Sequence, residues 1–178
     1  MNERQVTRDD HIRGSTDAAV MLIEYADFQC PYSARAHAVL GDLRDELGDE
    51  LCLVYRHLPL THLHPYAEPA AEAAEAASAQ GKFWEMHDAL YENQELLDPG
   101  ALPALAESIE LDSERFRDDL LARRFKPRVL HDAERGKQDG ADQTPTFFIN
   151  GQRYYGDSDY ESLSAAIQDA LDGQGRAS

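Results

Sequence analysis

The sequence predicts an α/β fold in which a βαβ unit is followed by an α-helical insertion and then by a ββα unit. Three observations carry this prediction. Two short apolar runs flank a helical pattern, about 70 residues without a strand signal follow, and a hairpin signal precedes a last amphipathic helix. We therefore assign residues 1–62 to the first half of one domain, residues 63–140 to the insertion and residues 141–178 to the second half.

The βαβ unit begins with residues 20–26 (VMLIEYA), whose near-continuous hydrophobicity is typical of a strand buried on both faces. A helix is predicted to follow at Pro31, because proline is favoured at a first helical position, where its missing N–H needs no partner. The helix is expected to end at Gly48, and residues 51–55 (LCLVY) predict a second buried strand. This order predicts a parallel pair with a right-handed crossover.

The middle of the chain carries only helical patterns, from the alanine-rich stretch AEPAAEAAEAASAQ onward. Such a length is too great for a loop and lacks the periodic repeat of a solenoid, so we predict an inserted helical subdomain. The strands then resume at residues 146–149 and 152–155, which an Asn-Gly hairpin turn separates. Ser158 and Glu161 predict a capping box for the final helix.

The chain is strongly acidic, with a formal net charge of −17 over 178 residues. No cluster of Lys and Arg is present, so we predict no nucleic-acid partner and no anionic membrane surface. Residues 1–18 lack the apolar segment of a signal peptide, and no apolar run is long enough to predict insertion into a membrane. We expect a cytoplasmic protein, or a periplasmic or extracytoplasmic one if an upstream segment has been removed.

Cys30 lies at the predicted junction between the first strand and the helix that follows it. A helix N-terminus presents unpaired N–H groups and the positive end of the helix dipole, and both stabilise a thiolate. We therefore interpret Cys30 as a reactive nucleophile rather than as a small buried apolar residue. The other cysteine, Cys52, lies inside the apolar run LCLVY and is predicted to be core.

Three segments of the sequence resemble the DsbA-like thiol–disulfide oxidoreductases, including the form attached to some sodium/proton antiporters. These segments are EYADFQCPYSARAH, YRHLPLTHLHPYAEPAAEAAEAASAQGKFWEMHDALYE and TPTFFINGQRYYG, and the likeness covers about residues 11–171. The resemblance implies a thioredoxin-like fold with an inserted α-helical subdomain, in agreement with the pattern above. It also implies thiol–disulfide exchange on protein or small-molecule disulfides.

The active-site motif departs from the usual Cys-Pro-X-Cys of that family, because it reads Cys30-Pro31-Tyr32-Ser33. A serine hydroxyl can stabilise the Cys30 thiolate by a hydrogen bond, but it cannot attack a sulfur, so the motif forms no internal disulfide. Either the protein is naturally monothiol or Ser33 replaces a resolving cysteine in order to trap intermediates. In the first case a separate thiol resolves the mixed disulfide. We predict no cofactor, with a low-molecular-weight thiol such as glutathione as co-substrate.

The resemblance adds three residues that bind the substrate. It implies that Pro145 follows a cis peptide bond and packs against the thiol, and that Thr144 offers backbone hydrogen bonds to an extended peptide, as in strand addition. Tyr32 is expected to line the same groove.

Glu24 lies in an apolar strand six residues before Cys30. If it is buried, its pKa is raised and it can exchange a proton with the thiol; alternatively, it reaches solvent at a sheet edge. The histidines of YRHLPLTHLHPY lack an evident fourth ligand for zinc, so we predict no metal. Two other functions stay open. They are a glutathione-dependent transferase or deglutathionylase of the kappa-like type, which Ser33 supports, and a non-catalytic peptide-binding module.

Overall fold

The computed structural model of the chain describes residues 6–175, which contain five strands and seven helices. The strands are β1 (His11–Arg13), β2 (Val20–Ala26), β3 (Leu51–His57), β4 (Thr146–Ile149) and β5 (Gln152–Tyr154). The helices are α1 (Pro31–Leu47), α2 (Ala67–Ser78), α3 (Phe83–Glu92), α4 (Leu102–Ser108), α5 (Ser113–Leu121), α6 (Lys126–Asp139) and α7 (Tyr160–Gly175). Residues 1–5 and 176–178, which the sequence assigns to the two halves of one domain, lie outside the described residues.

The strands form one sheet in the order β1-β3-β2-β4-β5. The β2 and β3 strands are parallel, and the other neighbouring pairs are antiparallel. Because β2 lies at the centre of the sheet and is covered on both faces, its sequence is almost continuously apolar. The predicted βαβ and ββα units, joined by helices alone, are confirmed.

Helices cover both faces of the sheet. On one face α1 and α7 bury a cluster that includes Leu22, Leu40 and Leu163. On the other face α6 packs close to the sheet because Gly136 lacks a side chain, since a Cβ there would lie 3.0 Å from a ring carbon of Tyr25. The β2 strand is therefore packed between α1 and α7 on one face of the sheet and α6 on the other.

The helical insertion packs around α2, in which seven alanines are buried. Small side chains let neighbouring helices approach α2 closely, and Met86, Leu90 and Phe116 fill the space around it. Phe28 and Tyr55 belong to the same cluster, so the core of the insertion continues into the sheet beside the β2–α1 junction. Within residues 6–175, every helix is too short or too polar to cross a bilayer.

Several local features differ from the sequence predictions, among them the end of β5 at Tyr154 rather than at residue 155. The three-residue edge strand β1 was not predicted, because its alternation is too short to detect. The β3 strand continues to His57, two residues beyond the predicted end. The predicted Ser158–Glu161 capping box is wrong: the Asp159 carboxylate accepts hydrogen bonds from the backbone N of Ser162 at 3.0 Å and from its hydroxyl at 2.8 Å. Asp159, one residue later, therefore caps α7.

Candidate active site

Cys30 is the N-cap residue of the 17-residue helix α1, with extended backbone angles of φ −74° and ψ 122°. Pro31 occupies the first helical turn, as predicted. The backbone N of Cys30 donates to the Asp27 carbonyl at 3.0 Å, which closes a tight turn after β2. The thiol therefore lies at the positive end of the α1 dipole.

The loop before β4 lies against this thiol. The Cys30 thiol donates a hydrogen bond to the Thr144 carbonyl oxygen, with a sulfur–oxygen distance of 3.3 Å, and the Thr144–Pro145 peptide bond is cis. The contact follows from sheet pairing, because β4 runs antiparallel to β2 and Thr146 is the register partner of Tyr25. The start of β4 therefore meets the end of β2 beside the α1 N-terminus.

Gln94, from the helical insertion, holds the backbone of the same turn. Its side-chain Nε2 donates to the Phe28 carbonyl at 2.7 Å and to the Cys30 carbonyl at 3.0 Å. Gln94 was not predicted as a site residue, since a polar residue between two helices carries no sequence signal of this long-range contact. The insertion thus fixes the backbone of Cys30 directly.

Ser33 is fully buried one helical turn after Cys30. Its hydroxyl oxygen accepts a hydrogen bond from the backbone N of Asp27 at 3.4 Å. Both cysteines are free, and Cys52 is fully buried in the sheet among Ile23 and Val54, as expected of a core residue. Burial also raises the pKa of the Cys52 thiol, which disfavours its thiolate.

Cys30 opens onto a cavity of about 530 Å³, although only 4% of the residue is exposed. The predicted site residues that line this cavity are Cys30, Pro31, Tyr32, Thr144 and Pro145. Its walls also include three residues that the sequence did not single out for the site: Leu63, His64 and Tyr155. Tyr32, Leu63 and Tyr155 are exposed large side chains, so the opening has an apolar rim. Glu24 and Ser33 do not line it.

Glu24 is buried in the central strand β2, which excludes the alternative of a carboxylate at a sheet edge. Its Oε1 has no hydrogen-bond partner among the described residues, and burial raises the pKa of Glu24 to about 8. At neutral pH the group is therefore mainly protonated. Glu24 lines a separate cavity of about 30 Å³ together with His37 and His87, a space sufficient for one water molecule.

Asp27 and His64 form a pair that was not predicted from the sequence. The buried Asp27 carboxylate accepts hydrogen bonds from His64 Nδ1 at 2.8 Å and from the backbone N of Leu60 at 2.9 Å. This arrangement orients the imidazole of a residue that lines the Cys30 cavity. A histidine held by a carboxylate is able to accept and donate protons through its other ring nitrogen. The sequence feature that could have indicated this pair is Asp27, an acidic residue three positions before Cys30.

Comparison with known proteins identifies the family of the chain and proteins that share its fold. Residues 6–169 match the model of the family described as Thioredoxin. The chain is similar to the Na(+)/H(+) antiporter NhaA 3 of Salinispora tropica, with 47% identity over 162 residues. That match covers 91% of this chain but 25% of the antiporter, so the chain spans about a quarter of the length of this curated relative.

Two solved structures share the fold. A thioredoxin-like oxidoreductase from Silicibacter pomeroyi DSS-3 is 27% identical, with a TM-score of 0.81 over 97% of this chain and 95% of that protein. The α-DsbA1 protein of Wolbachia pipientis is 17% identical, with a TM-score of 0.84 over 97% of each chain. The fold implied by the DsbA-like resemblance is therefore confirmed.

Proposed function

Because the chain belongs to the thioredoxin family, we propose that it catalyses thiol–disulfide exchange with Cys30 as its single nucleophile. One observation carries this proposal: Cys30 is the N-cap residue of α1, and its thiol lies 3.3 Å from the Thr144 carbonyl and opens onto a cavity of about 530 Å³. The first feature favours the reactive thiolate, and the cavity admits a substrate. The Silicibacter relative, an oxidoreductase by name, supports the same chemistry.

In the first step the Cys30 thiolate attacks one sulfur of a substrate disulfide. A new S–S bond forms between Cys30 and that sulfur while the substrate S–S bond breaks. The second substrate sulfur leaves with the bonding electron pair as a thiolate and takes up a proton. The product is a mixed disulfide on Cys30 together with one free substrate thiol.

The second step needs a thiol from outside the motif, because Ser33 contains no sulfur. We assign this role to a low-molecular-weight thiol such as glutathione, whose thiolate attacks the substrate sulfur of the mixed disulfide. The Cys30 thiolate leaves, and the substrate carries the small thiol as a disulfide. A second small thiol then releases the reduced substrate and forms the small-molecule disulfide, which completes a net reduction.

His64 is the proposed proton donor to the leaving thiolate. It lines the cavity onto which Cys30 opens, and the hydrogen bond from its Nδ1 to Asp27 directs the other ring nitrogen, Nε2, away from that carboxylate. An imidazole is suited to proton transfer near neutral pH. We propose that Glu24, which is mainly protonated and lines a separate cavity large enough for one water molecule, exchanges a proton with the Cys30 thiol through water.

The substrate class that the cavity favours is an extended peptide containing a disulfide. The backbone of Thr144 lies next to the thiol, so a peptide can add as a strand beside it without strict sequence requirements. The apolar rim of Tyr32 and Tyr155 supports binding of hydrophobic side chains on either side of the disulfide.

The test is to follow reduction of a disulfide-containing peptide by glutathione with and without the protein. We expect acceleration by the chain as it stands, loss of the acceleration in Cys30→Ala, and full activity in the matched control Cys52→Ala. Activity that survives Cys30→Ala would remove the proposed mechanism. Conjugation of glutathione to an electrophile that depends on Ser33 and not on Cys30 would instead support the transferase alternative.

A further inference from the structure

Three side chains from separate elements meet between the edge of the sheet and the helical insertion. The Nε2 atoms of His11 on β1 and His57 on β3 both lie next to Oε1 of Glu75 on α2. The Nε2–Oε1 distances are 2.7 Å for His11 and 2.8 Å for His57. The exposed fractions of these side chains are 10%, 0% and 7%, respectively. None of the three lines the Cys30 cavity.

Two imidazole nitrogens and one carboxylate oxygen form a donor set that zinc accepts, with a fourth position left for water. We propose, in contrast to the expectation from the sequence that no metal binds, that His11, His57 and Glu75 bind one divalent cation of the zinc class. The three donor atoms lie within 4.8 Å of one another. Ligands at zinc distances of about 2.0–2.1 Å are roughly 3.3 Å apart in a tetrahedron, so each Nε2–Oε1 separation has to open by about half an ångström.

The orientation of the donor atoms suits a cation. His11 and His57 both direct Nε2 at the same oxygen of the Glu75 carboxylate. The Nδ1 atom of His57 is buried without a hydrogen-bond partner among the described residues. A neutral His57 ring that carries its proton on Nδ1 would present the Nε2 lone pair to a cation.

A second cluster of the same composition provides the contrast. His37, His87 and Asp88 also bring three donor atoms within 4.8 Å of one another. There the guanidinium of Arg13 binds both oxygens of Asp88, at 3.2 and 2.8 Å, and already supplies the cation. We expect no metal at this cluster.

Among the described residues Glu75 forms no hydrogen-bonded pair with a guanidinium, although Arg128 lies within ion-pair distance. The Nε of Arg128 lies 3.9 Å from Glu75 Oε1, beyond hydrogen-bond distance. The terminal nitrogens of Arg128 instead donate to the Asp132 carboxylate and to the Asp9 carbonyl. Asp132 thus largely balances the charge of Arg128. The negative charge of the Glu75 carboxylate therefore remains available to its two histidines and to an added cation.

The experiment uses the full chain carrying Cys30→Ser, because a free thiolate also binds zinc. Calorimetric titration with Zn²⁺ alone is expected to give one equivalent of saturable binding, and Co²⁺ is expected to give the visible absorption bands of a tetrahedral site. His11→Gln and Glu75→Gln, made in the same background, remove one ligand each. Each should weaken binding by more than the roughly 10–100-fold that loss of an outer-shell partner costs. The matched control His37→Gln should bind as the parent does.

Absence of saturable Zn²⁺ binding in the Cys30→Ser chain would overturn the proposal. Equal binding in His11→Gln and in its parent would overturn it as well. Circular dichroism of each metal-free variant checks that it is folded. If Glu75→Gln does not fold, the His11→Gln variant decides the question, because His11 lies on the short edge strand β1. Neither result depends on the exchange activity of Cys30.

Discussion

The Cys30 thiol and the Thr144 carbonyl oxygen lie 3.3 Å apart although 114 positions separate the two residues in the chain. The contact arises because β2, which leads into Cys30, pairs with β4, which follows Thr144. Sheet pairing therefore places the Cys30 sulfur beside the backbone to which we propose that an extended peptide binds. The helical insertion between the two segments secures the same turn through Gln94.

Glu24→Gln is expected to change how stability depends on pH. The pKa of Glu24 is about 8 in the folded protein, against an ordinary value of 4.5. Between these values the folded state keeps a proton that the unfolded state has released, so the free energy of unfolding falls as pH rises. Glutamine does not titrate, so the free energy of unfolding of the variant does not fall with pH for this reason. We expect its stability relative to the parent to increase by several kcal/mol between about pH 5 and pH 8, since a pKa change of one corresponds to about 1.4 kcal/mol.

Urea unfolding at a series of pH values measures this difference. Glu85→Gln is the matched control, because Glu85 is exposed on α3 and its substitution should give a nearly constant difference. A difference between Glu24→Gln and the parent that stays flat from about pH 5 to pH 8 would show that Glu24 does not titrate as described.

Asp10→Asn is expected to destabilise the fold. Asp10 and Arg56 form a buried ion pair, with Nε–Oδ1 and Nη2–Oδ2 distances of 2.8 and 3.0 Å. Burial opposes ionisation of Asp10, yet hydrogen bonds from Arg56 hold its pKa below the ordinary value. Asp10→Asn removes the closest carboxylate from the buried Arg56 guanidinium, whose other carboxylate neighbour, Asp139, lies 3.8 Å away, and we expect a loss of about 3–5 kcal/mol in the free energy of unfolding at neutral pH.

Chemical denaturation at pH 7 is the measurement, with Asp17→Asn as an exposed control in the same segment. The control should change stability by less than about 0.5 kcal/mol. A loss below about 1 kcal/mol for Asp10→Asn would mean that Arg56 is stabilised adequately without the Asp10 carboxylate.

His64→Gln is expected to slow exchange, because it removes the proposed proton donor from the Cys30 cavity while keeping a polar side chain. General acid–base groups contribute about 10²–10⁴-fold, so we expect a loss in kcat of about 100-fold and an altered pH–rate profile. His62→Gln, an exposed histidine two residues away, is the control. If both variants keep the parental rate and pH profile, the Asp27–His64 hydrogen bond only stabilises the fold and takes no part in proton transfer.

Tyr155→Ser is expected to weaken binding of peptide substrates. Tyr155 is 81% exposed at the cavity rim, and loss of one aromatic contact of about 0.5–1.5 kcal/mol raises KM about 2- to 10-fold. Reduction of a small disulfide should be unaffected. Tyr160→Ser, outside the cavity lining, is the control. An equal effect of Tyr155→Ser on small and peptide disulfides would argue against a peptide groove.

Local sequence signals were sufficient for most of the fold. The apolar run of β2, the proline after Cys30 and the Asn-Gly turn each specify their structure through neighbouring residues, and the predicted elements agree with these signals. The family resemblance supplied what periodicity does not contain, namely that Thr144 and a cis Pro145 lie beside Cys30. The edge strand β1 escaped detection because three residues carry too little alternation.

Long-range polar pairs could not be predicted from the sequence. The partners Asp10 and Arg56 are 46 positions apart, and Asp27 and His64 are 37 positions apart. Each residue alone is an ordinary charged or polar side chain, and only the packing of separate elements buries it and selects its partner. For Glu24 the sequence left burial and exposure open, and the central position of β2 decides in favour of burial.

The most direct test of single-thiol exchange is the fate of a mixed disulfide on Cys30. The chain is treated with oxidised glutathione, freed of small molecules and analysed by intact mass spectrometry, alongside Cys30→Ser and Ser33→Cys. We predict one glutathione adduct on the parent chain that persists until a thiol is added, and none on Cys30→Ser. Ser33→Cys should release the glutathione and become two hydrogens lighter. An adduct of equal yield on Cys30→Ser, or a parent chain that takes up no glutathione, would contradict the proposed chemistry.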